Sequence, residues 1–396
     1  MNYKRKLMSH IVEFSISELT KRKQNYSQKL NKDVNIFFGL NGSGKTSLLK
    51  ILHSAMSGDT SILRNVPFKH AEVKLYSIGW NKEFNYQVEQ MHSTTNEKKQ
   101  LNLAEILYSS GEDITDFVEE IVSLPNNWKI SPKNTKLKGL RHSYLPVSRP
   151  YLTKRPERLP LSEARLDLLF AQHLQDLWRH YSTDMLSNIR KVQEDGLANI
   201  LKTILSAAES NGATQSVQDK PIKVEVAYKQ MCNFLSRQNA KIDILGSRKE
   251  FTQRYKKDLR LQQVVSDIHA VEKEIEQTMA PRQKLQQLIQ KMFSHKQVEF
   301  TDSNIEIKTE EDTSLGLNLL SSGERQLMLI FLETFLAGES TILIDEPEMS
   351  MHIDWQLELV SAMQQLNPKA QLILATHSPE IMANVTDDKI FRLDYE

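Results

Sequence analysis

Cysteine is nearly absent: Cys232 is the only one in 396 residues. That excludes a disulfide framework and cysteine-rich zinc sites, and it fits a reducing compartment. Net charge is just as scarce, with Lys+Arg 51 against Asp+Glu 50. No global field therefore announces a nucleic-acid partner, and any such partner has to meet a local patch. Long hydrophobic runs are missing too. The most apolar stretch, Leu327 to Ala337, is broken by Glu333 and is too short to span a bilayer. The basic start "MNYKRKLMSH" has no apolar core behind it, so it does not read as a signal peptide. There is no internal repeat and no low-complexity tract. The expectation is a soluble, cytoplasmic protein with no membrane partner, long enough for two domains or for one domain with a large insertion.

Three zones are present. Residues 1–158 mix short β-like runs with polar turns: "VNIFF" (Val34 to Phe38) is a buried-strand pattern, and the runs from Glu72 and Phe84 read as a hairpin. Residues 159–296 are helical in pattern. Leu166, Phe170, Leu174, Leu177, Tyr181 and Met185 make one apolar face, and "ESNGATQSVQDKP" then breaks the run. Leu261, Val264, Ile268, Val271 and Ile275 keep a heptad rhythm that stops at Pro281, which predicts either a short helical arm or an ordinary core stripe. In residues 297–396 a strand pair around "VEF" and "IEIKT" is followed by strand, helix and strand. The simplest account is an α/β fold, mainly a parallel sheet with N-terminal antiparallel strands, interrupted by a mostly α-helical insertion.

"GLNGSGKTS" (Gly39 to Ser47) matches G-x-x-x-x-G-K-[ST] between a strand and a helix-like run, which is the context this motif needs. Its glycines let backbone N–H groups curl around phosphates at a helix N-terminus. Lys45 should reach the β- and γ-phosphates and Thr46 should ligand Mg²⁺. "TILIDEPE" ends a strand on two carboxylates: Asp345 to hold Mg²⁺ through water, Glu346 to orient or deprotonate the attacking water. One crossover helix later, "QLILATHSP" delivers His377 to the same carboxyl edge, where it can hydrogen-bond a γ-phosphate. The stretch "LSSGERQ" opens an apolar helix with a Ser and a Gly. It reads either as a second anion-binding turn, useful if it meets a triphosphate held by another subunit, or as a plain Ser N-cap with a capping-box glutamate.

These four motifs, in this order, resemble the ABC-type ATPase head. More narrowly they resemble the soluble heads of the SMC, RecF and OLD group and the stand-alone ATPases of bacterial anti-phage systems of the Septu, PARIS or retron-associated type. The resemblance implies a cis pocket for ATP and Mg²⁺ formed by Gly39, Asn41, Gly42, Ser43, Gly44, Lys45, Thr46 and Ser47. It also implies trans contacts from Ser321 and Gly323 to a partner's γ-phosphate, so that two or more copies assemble around ATP. The chain departs from the transporter form. Ser322 and Glu324 replace a Gly and the Gln of LSGGQ, and His352 stands where transporters have an aspartate. The loop that senses the γ-phosphate has no clear Gln; "HSYLPVSRP" is its best place, with Ser148 or Arg149 as stand-ins.

Between residues 133 and 158 the chain carries Lys133, Lys136, Lys138, Arg141, Arg149, Lys154, Arg155 and Arg158 against Glu157 alone, with Tyr144 and Tyr151 interleaved. This patch suits nucleic-acid phosphates, a solvated face or an acidic protein. The resemblance implies a slow, regulatory ATPase that controls a separate effector, a nuclease or toxin in trans. Only nineteen residues follow His377, too few for the fused nuclease of OLD-type proteins. Two rival readings are a RecF- or SMC-like repair head acting on DNA, and an ATP-binding scaffold or sensor with little hydrolysis.

Overall fold

A computed structural model describes residues 8–21, 25–90, 128–131, 140–147, 162–206, 222–237, 245–293 and 295–393. The chain divides into two compact units, one of Met1–Ala171 with Gly316–Glu396 and one of Gln172–Leu315.

The first unit holds two sheets. Strands β1 (Ser9–Ser17), β2 (Asn25–Lys29), β4 (His70–Ser77), β5 (Lys82–Gln90) and β6 (Trp128–Ser131) form an antiparallel sheet in the order β2-β1-β4-β5-β6. Strands β3 (Val34–Phe38), β7 (His142–Leu145), β11 (Thr341–Asp345), β12 (Gln371–Thr376) and β13 (Ile390–Arg392) form a parallel sheet in the order β13-β3-β12-β11-β7. The uninterrupted apolar runs "VNIFF", "TILID" and "QLILAT" suit strands covered on both faces. Helix α1 (Lys45–Ser57) buries Leu48, Leu49, Ile51, Leu52, Ala55 and Met56. They join one core with Ile11, Val73, Leu75 and Val88 of the antiparallel sheet and Phe37, Leu343 and Ile373 of the parallel sheet. Each of the larger side chains among them (Leu, Ile, Val, Met, Phe) contributes about 1.5–3 kcal/mol, so this helix is held chiefly by its packing.

One buried polar group ties the two sheets together. Gln371 Oε1 accepts from Ile11 N at 2.8 Å and from Thr341 Oγ1 at 2.8 Å, and its Nε2 donates to Ile11 O and Asn31 O, each at 2.8 Å. The β1–β4 register shifts between Ile11 and Glu13, and the glutamine fills the backbone demand left beside that irregularity. Helices α6 (Ser322–Leu336), α7 (Ile353–Leu366) and α8 (Pro379–Met382) complete this unit.

The second unit takes in most of α2 (Glu163–Ser206), with α3 (Val224–Arg237), α4 (Arg248–Lys257), α5 (Leu259–Met292) and the antiparallel strands β8 (Lys296–Phe300), β9 (Ile305–Thr309) and β10 (Ser314–Leu315). The strand pair after residue 296 thus lies with the helices, on the far side of the boundary drawn from sequence. Trp178 is the anchor. It is fully buried, packs against Phe300 with the rings tilted at 58° and 4.7 Å apart, and donates from Nε1 to Thr301 O at 2.8 Å. The sequence pattern had put Leu177, which is only half-buried, in the stripe. Helix α5 also runs straight through Pro281, where the heptad pattern was expected to stop. Buried Val271 and Ile275 before it, and Leu285 and Ile289 after it, offset a cost of roughly 3 kcal/mol for an interior proline.

Among the described residues no helix is long and apolar enough to cross a membrane.

Candidate functional site

The register of the parallel sheet builds the site. Ala375 lies opposite both Asp345 and Phe37, and Thr376 lies opposite Phe38. The turn at Gly39, the carboxylate of Asp345 and the β12 end at His377 therefore leave the sheet at one carboxyl edge. In open parallel sheets that edge is where ligands bind. The edge strand β7 runs parallel to β11 and ends with Leu145 beside Ile344, at the same edge. Ser148 and Arg149, the expected stand-ins for the γ-phosphate sensor, lie outside the described residues.

Backbone geometry shapes the P-loop. Gly42 (φ +83°) and Gly44 (φ +100°) take left-handed conformations that side chains rarely adopt, and α1 begins at Lys45. Lys45 is nearly buried. Its Nζ donates to Gly39 O at 2.6 Å and to Leu40 O at 3.1 Å, so the ammonium closes on the carbonyls of its own loop. Asn41, Gly42 and Thr46 are exposed on the loop and at the helix start, whereas Ser43 is buried beneath it and Ser47 half-buried.

Asp345 is 1% exposed, and neither carboxylate oxygen has a hydrogen-bond partner of ordinary geometry among the described residues. Burial pushes its pKa up to about 6, while the Thr46 hydroxyl and the Lys45 ammonium pull the other way. An acceptor-only carboxylate kept dry beside a P-loop threonine fits a divalent cation. Two protein oxygens leave room for phosphate and water, as Mg²⁺ prefers. Among the described residues there is no group of three or more His, Cys, Asp or Glu that could hold a metal ion.

Glu346 follows with φ +47°, a conformation uncommon for a side-chain-bearing residue, and its N–H donates to Ala375 O at 2.8 Å. Strain of this kind concentrates at functional sites. His377 Nδ1 lies 3.5 Å from Glu346 Oε1 and 3.2 Å from Glu348 Oε1. The sequence reading gave Glu348 no role. The signal was available in the second glutamate of "EPE".

The turn at "LSSGERQ" satisfies its local reading in full. Ser321 caps α6 by accepting from Glu324 N at 3.3 Å, and Glu324 Oε2 accepts from Ser321 N at 2.8 Å, closing a capping box. Ser321 stays exposed, but Gly323 is buried, and a Cβ there would stand 2.3 Å from Ser350 O. The turn is thus packed in cis on the loop that follows Glu346. Arg325 pairs with Asp167 and lies over the Phe170 ring at 6.0 Å, joining the turn to the first residues of α2. His352 caps α7, accepting from Asp354 N at 3.4 Å.

Of the residues singled out in the basic stretch, Arg141 and Tyr144 are described, and both are half-buried. Arg141 donates to Leu336 O at the end of α6. The Tyr144 ring stacks on His53 at 4.8 Å with its hydroxyl enclosed. The enclosed Tyr144 hydroxyl is no phosphate contact in this structure, whereas Arg141 is half-buried and gives one of its nitrogens to the Leu336 carbonyl. Lys133, Lys136, Lys138, Arg149, Tyr151, Lys154, Arg155 and Arg158 lie outside the described residues.

A family model described as an AAA ATPase domain matches residues 21–382. The Retron Vc95 probable ATPase of Vibrio cholerae serotype O1 biovar El Tor is 36% identical over 74 residues, 18% of this chain and 14% of that protein. Among solved structures, the Smc head domain of Pyrococcus furiosus, with an extended coiled coil and bound to the C-terminal domain of ScpA, is 13% identical, with 95% of this chain and 92% of that chain covered and a TM-score of 0.41. The SMC head domain from Thermotoga maritima is 11% identical, with 94% and 91% covered and a TM-score of 0.38. The recombination mediator protein RecF is 12% identical, with 94% of each chain covered and a TM-score of 0.35.

Proposed function

The chain belongs to the AAA ATPase domain family, and on that premise we propose that it is a nucleotide-driven switch whose copies close around shared ATP and act on a separate effector. The observation that carries the catalytic part is the meeting of Lys45, Asp345, Glu346 and His377 at one carboxyl edge. In this reading the P-loop of Gly39 to Ser47 cradles the triphosphate. Lys45 leaves the carbonyls of Gly39 and Leu40 for the β- and γ-phosphates. Thr46 and Asp345 would hold Mg²⁺, which when bound neutralises charge on the phosphate oxygens. Glu346 orients the attacking water and takes its proton, and His377 faces the γ-phosphate. Ser321, exposed at the helix start, and the N–H groups around Gly323 meet the γ-phosphate of a second copy.

The motif set, together with a relative named as a retron ATPase, supports a cytoplasmic role in anti-phage defence. There slow hydrolysis would time the release of a nuclease or toxin carried by another chain. The stretch 133–158, with its excess of lysine and arginine, is the proposed nucleic-acid contact.

Lys45→Ala tests the cradle. It should abolish binding of a fluorescent ATP analogue while leaving the melting temperature of the free protein within a few degrees. Wild-type affinity in that variant would refute the assignment.

A further inference from the structure

We infer that Glu348 is the positioning residue for His377, leaving Glu346 free for water; this rests on the role given to His377 above. Glu348 is 6% exposed, which is unusual for a carboxylate, and its partners all lie on the last residue of β12 and the one after it. Its Oε1 accepts from Thr376 Oγ1 at 2.6 Å and from His377 N at 3.0 Å, and it stands 3.2 Å from His377 Nδ1. Its Oε2 has no hydrogen-bond partner among the described residues. A buried carboxylate that spends one oxygen on three donors, all from one dipeptide, is arranged to fix that dipeptide.

The chemistry follows from which nitrogen is engaged. A carboxylate beside Nδ1 selects the tautomer that carries the proton there and leaves Nε2 as the atom that can turn to substrate. The same negative charge steadies the ring if Nε2 takes up a proton. Glu346 is the alternative holder, but it lies further from the same nitrogen, at 3.5 Å. Two carboxylates thus divide the work, one for the histidine and one for the water. The backbone from Glu346 to Met351 turns sharply. Glu346 and Ser350 both have positive φ (+47° and +63°), and Met349 N to Glu346 O (3.2 Å) and Met351 N to Glu348 O (2.9 Å) close successive turns that bring Glu348 back under β12.

The test uses the full chain and compares Glu348→Gln, Glu348→Ala, His377→Ala and the double variant Glu348→Ala/His377→Ala. Phosphate release at saturating Mg-ATP gives kcat, and titration gives KM. Glu348→Ala and His377→Ala should each lower kcat by about ten-fold or more with KM within about two-fold. The double variant should be no slower than the slower single one, because the glutamate acts through the histidine. Glu348→Gln, which keeps the shape and loses the charge, should fall in between. If the effects of the two single variants multiply, or if the loss falls on KM alone, Glu348 does not act through His377. If Glu348→Ala does not fold, Glu348→Gln carries the test, and a Gln effect undiminished in the His377→Ala background overturns the inference. Should His377→Ala itself hydrolyse normally, the site assignment fails and the inference with it. A slow His377→Ala beside silent Glu348 variants would sink only the inference.

Discussion

His53 on α1 and His142 on β7, the latter beside Thr341 at the start of β11, form a half-buried pair. His142 Nδ1–H donates to Leu140 O at 2.8 Å, so its Nε2 is bare and accepts from His53 Nδ1–H at 2.7 Å. Burial pushes His53 down to about 4, and His142 beside it adds to the fall. Burial lowers His142 too. Both rings are therefore neutral in the folded protein, and the sign of the pH effect follows. Below pH 6.5 the unfolded chain takes up a proton that folded His53 refuses, so stability is present above that pH and is lost as pH falls towards 4. Between pH 7 and pH 5 this one group should cost about 2 kcal/mol. Urea unfolding at the two pH values checks it. His53→Phe, which cannot titrate, should show a shallower loss over the same range, whereas an unchanged slope would remove His53 as the cause.

Helix α6 shows an element with two loyalties. Its first turn carries the residues proposed to meet a partner's phosphate, yet the turn is bound inside its own unit by the Ser350 carbonyl, and Ser143 Oγ donates to Glu333 Oε2 at 2.6 Å near its far end. Gly323→Ala should therefore lower the stability of the free protein by roughly 1–3 kcal/mol through overpacking, before any ATP is added. Thermal unfolding without nucleotide reads this directly. If the melting temperature is unchanged and only ATP-dependent behaviour suffers, the glycine serves the partner alone.

What the sequence disclosed at this scale was what local chemistry dictates. The strands at Val34–Phe38 and Gln371–Thr376 were legible because buried parallel strands are continuously apolar. The P-loop was legible because its glycines are a backbone requirement. Helix α5 was misread at Pro281 because packing on both sides overrides a local breaker. Trp178 was passed over for Leu177 because a spacing of three or four residues admits either of two neighbouring apolar positions. Glu348 stood in plain view in "EPE", but its pairing with His377 was not legible because that contact spans 29 residues of chain.

For the whole molecule, the account requires that the two nucleotide-facing elements of one chain, the P-loop and the α6 turn, serve different ATP molecules. ATP then joins copies, and hydrolysis parts them. The measurement that tests this most directly is the mass of Glu346→Gln in solution with Mg-ATP. The variant keeps the cradle and lacks the residue assigned to the water, so the ATP-joined state should persist. The prediction is a mass at least twice that of the nucleotide-free protein, reverting when ATP is removed. A variant that binds ATP yet keeps its nucleotide-free mass, or that releases phosphate at the wild-type rate, would contradict the account.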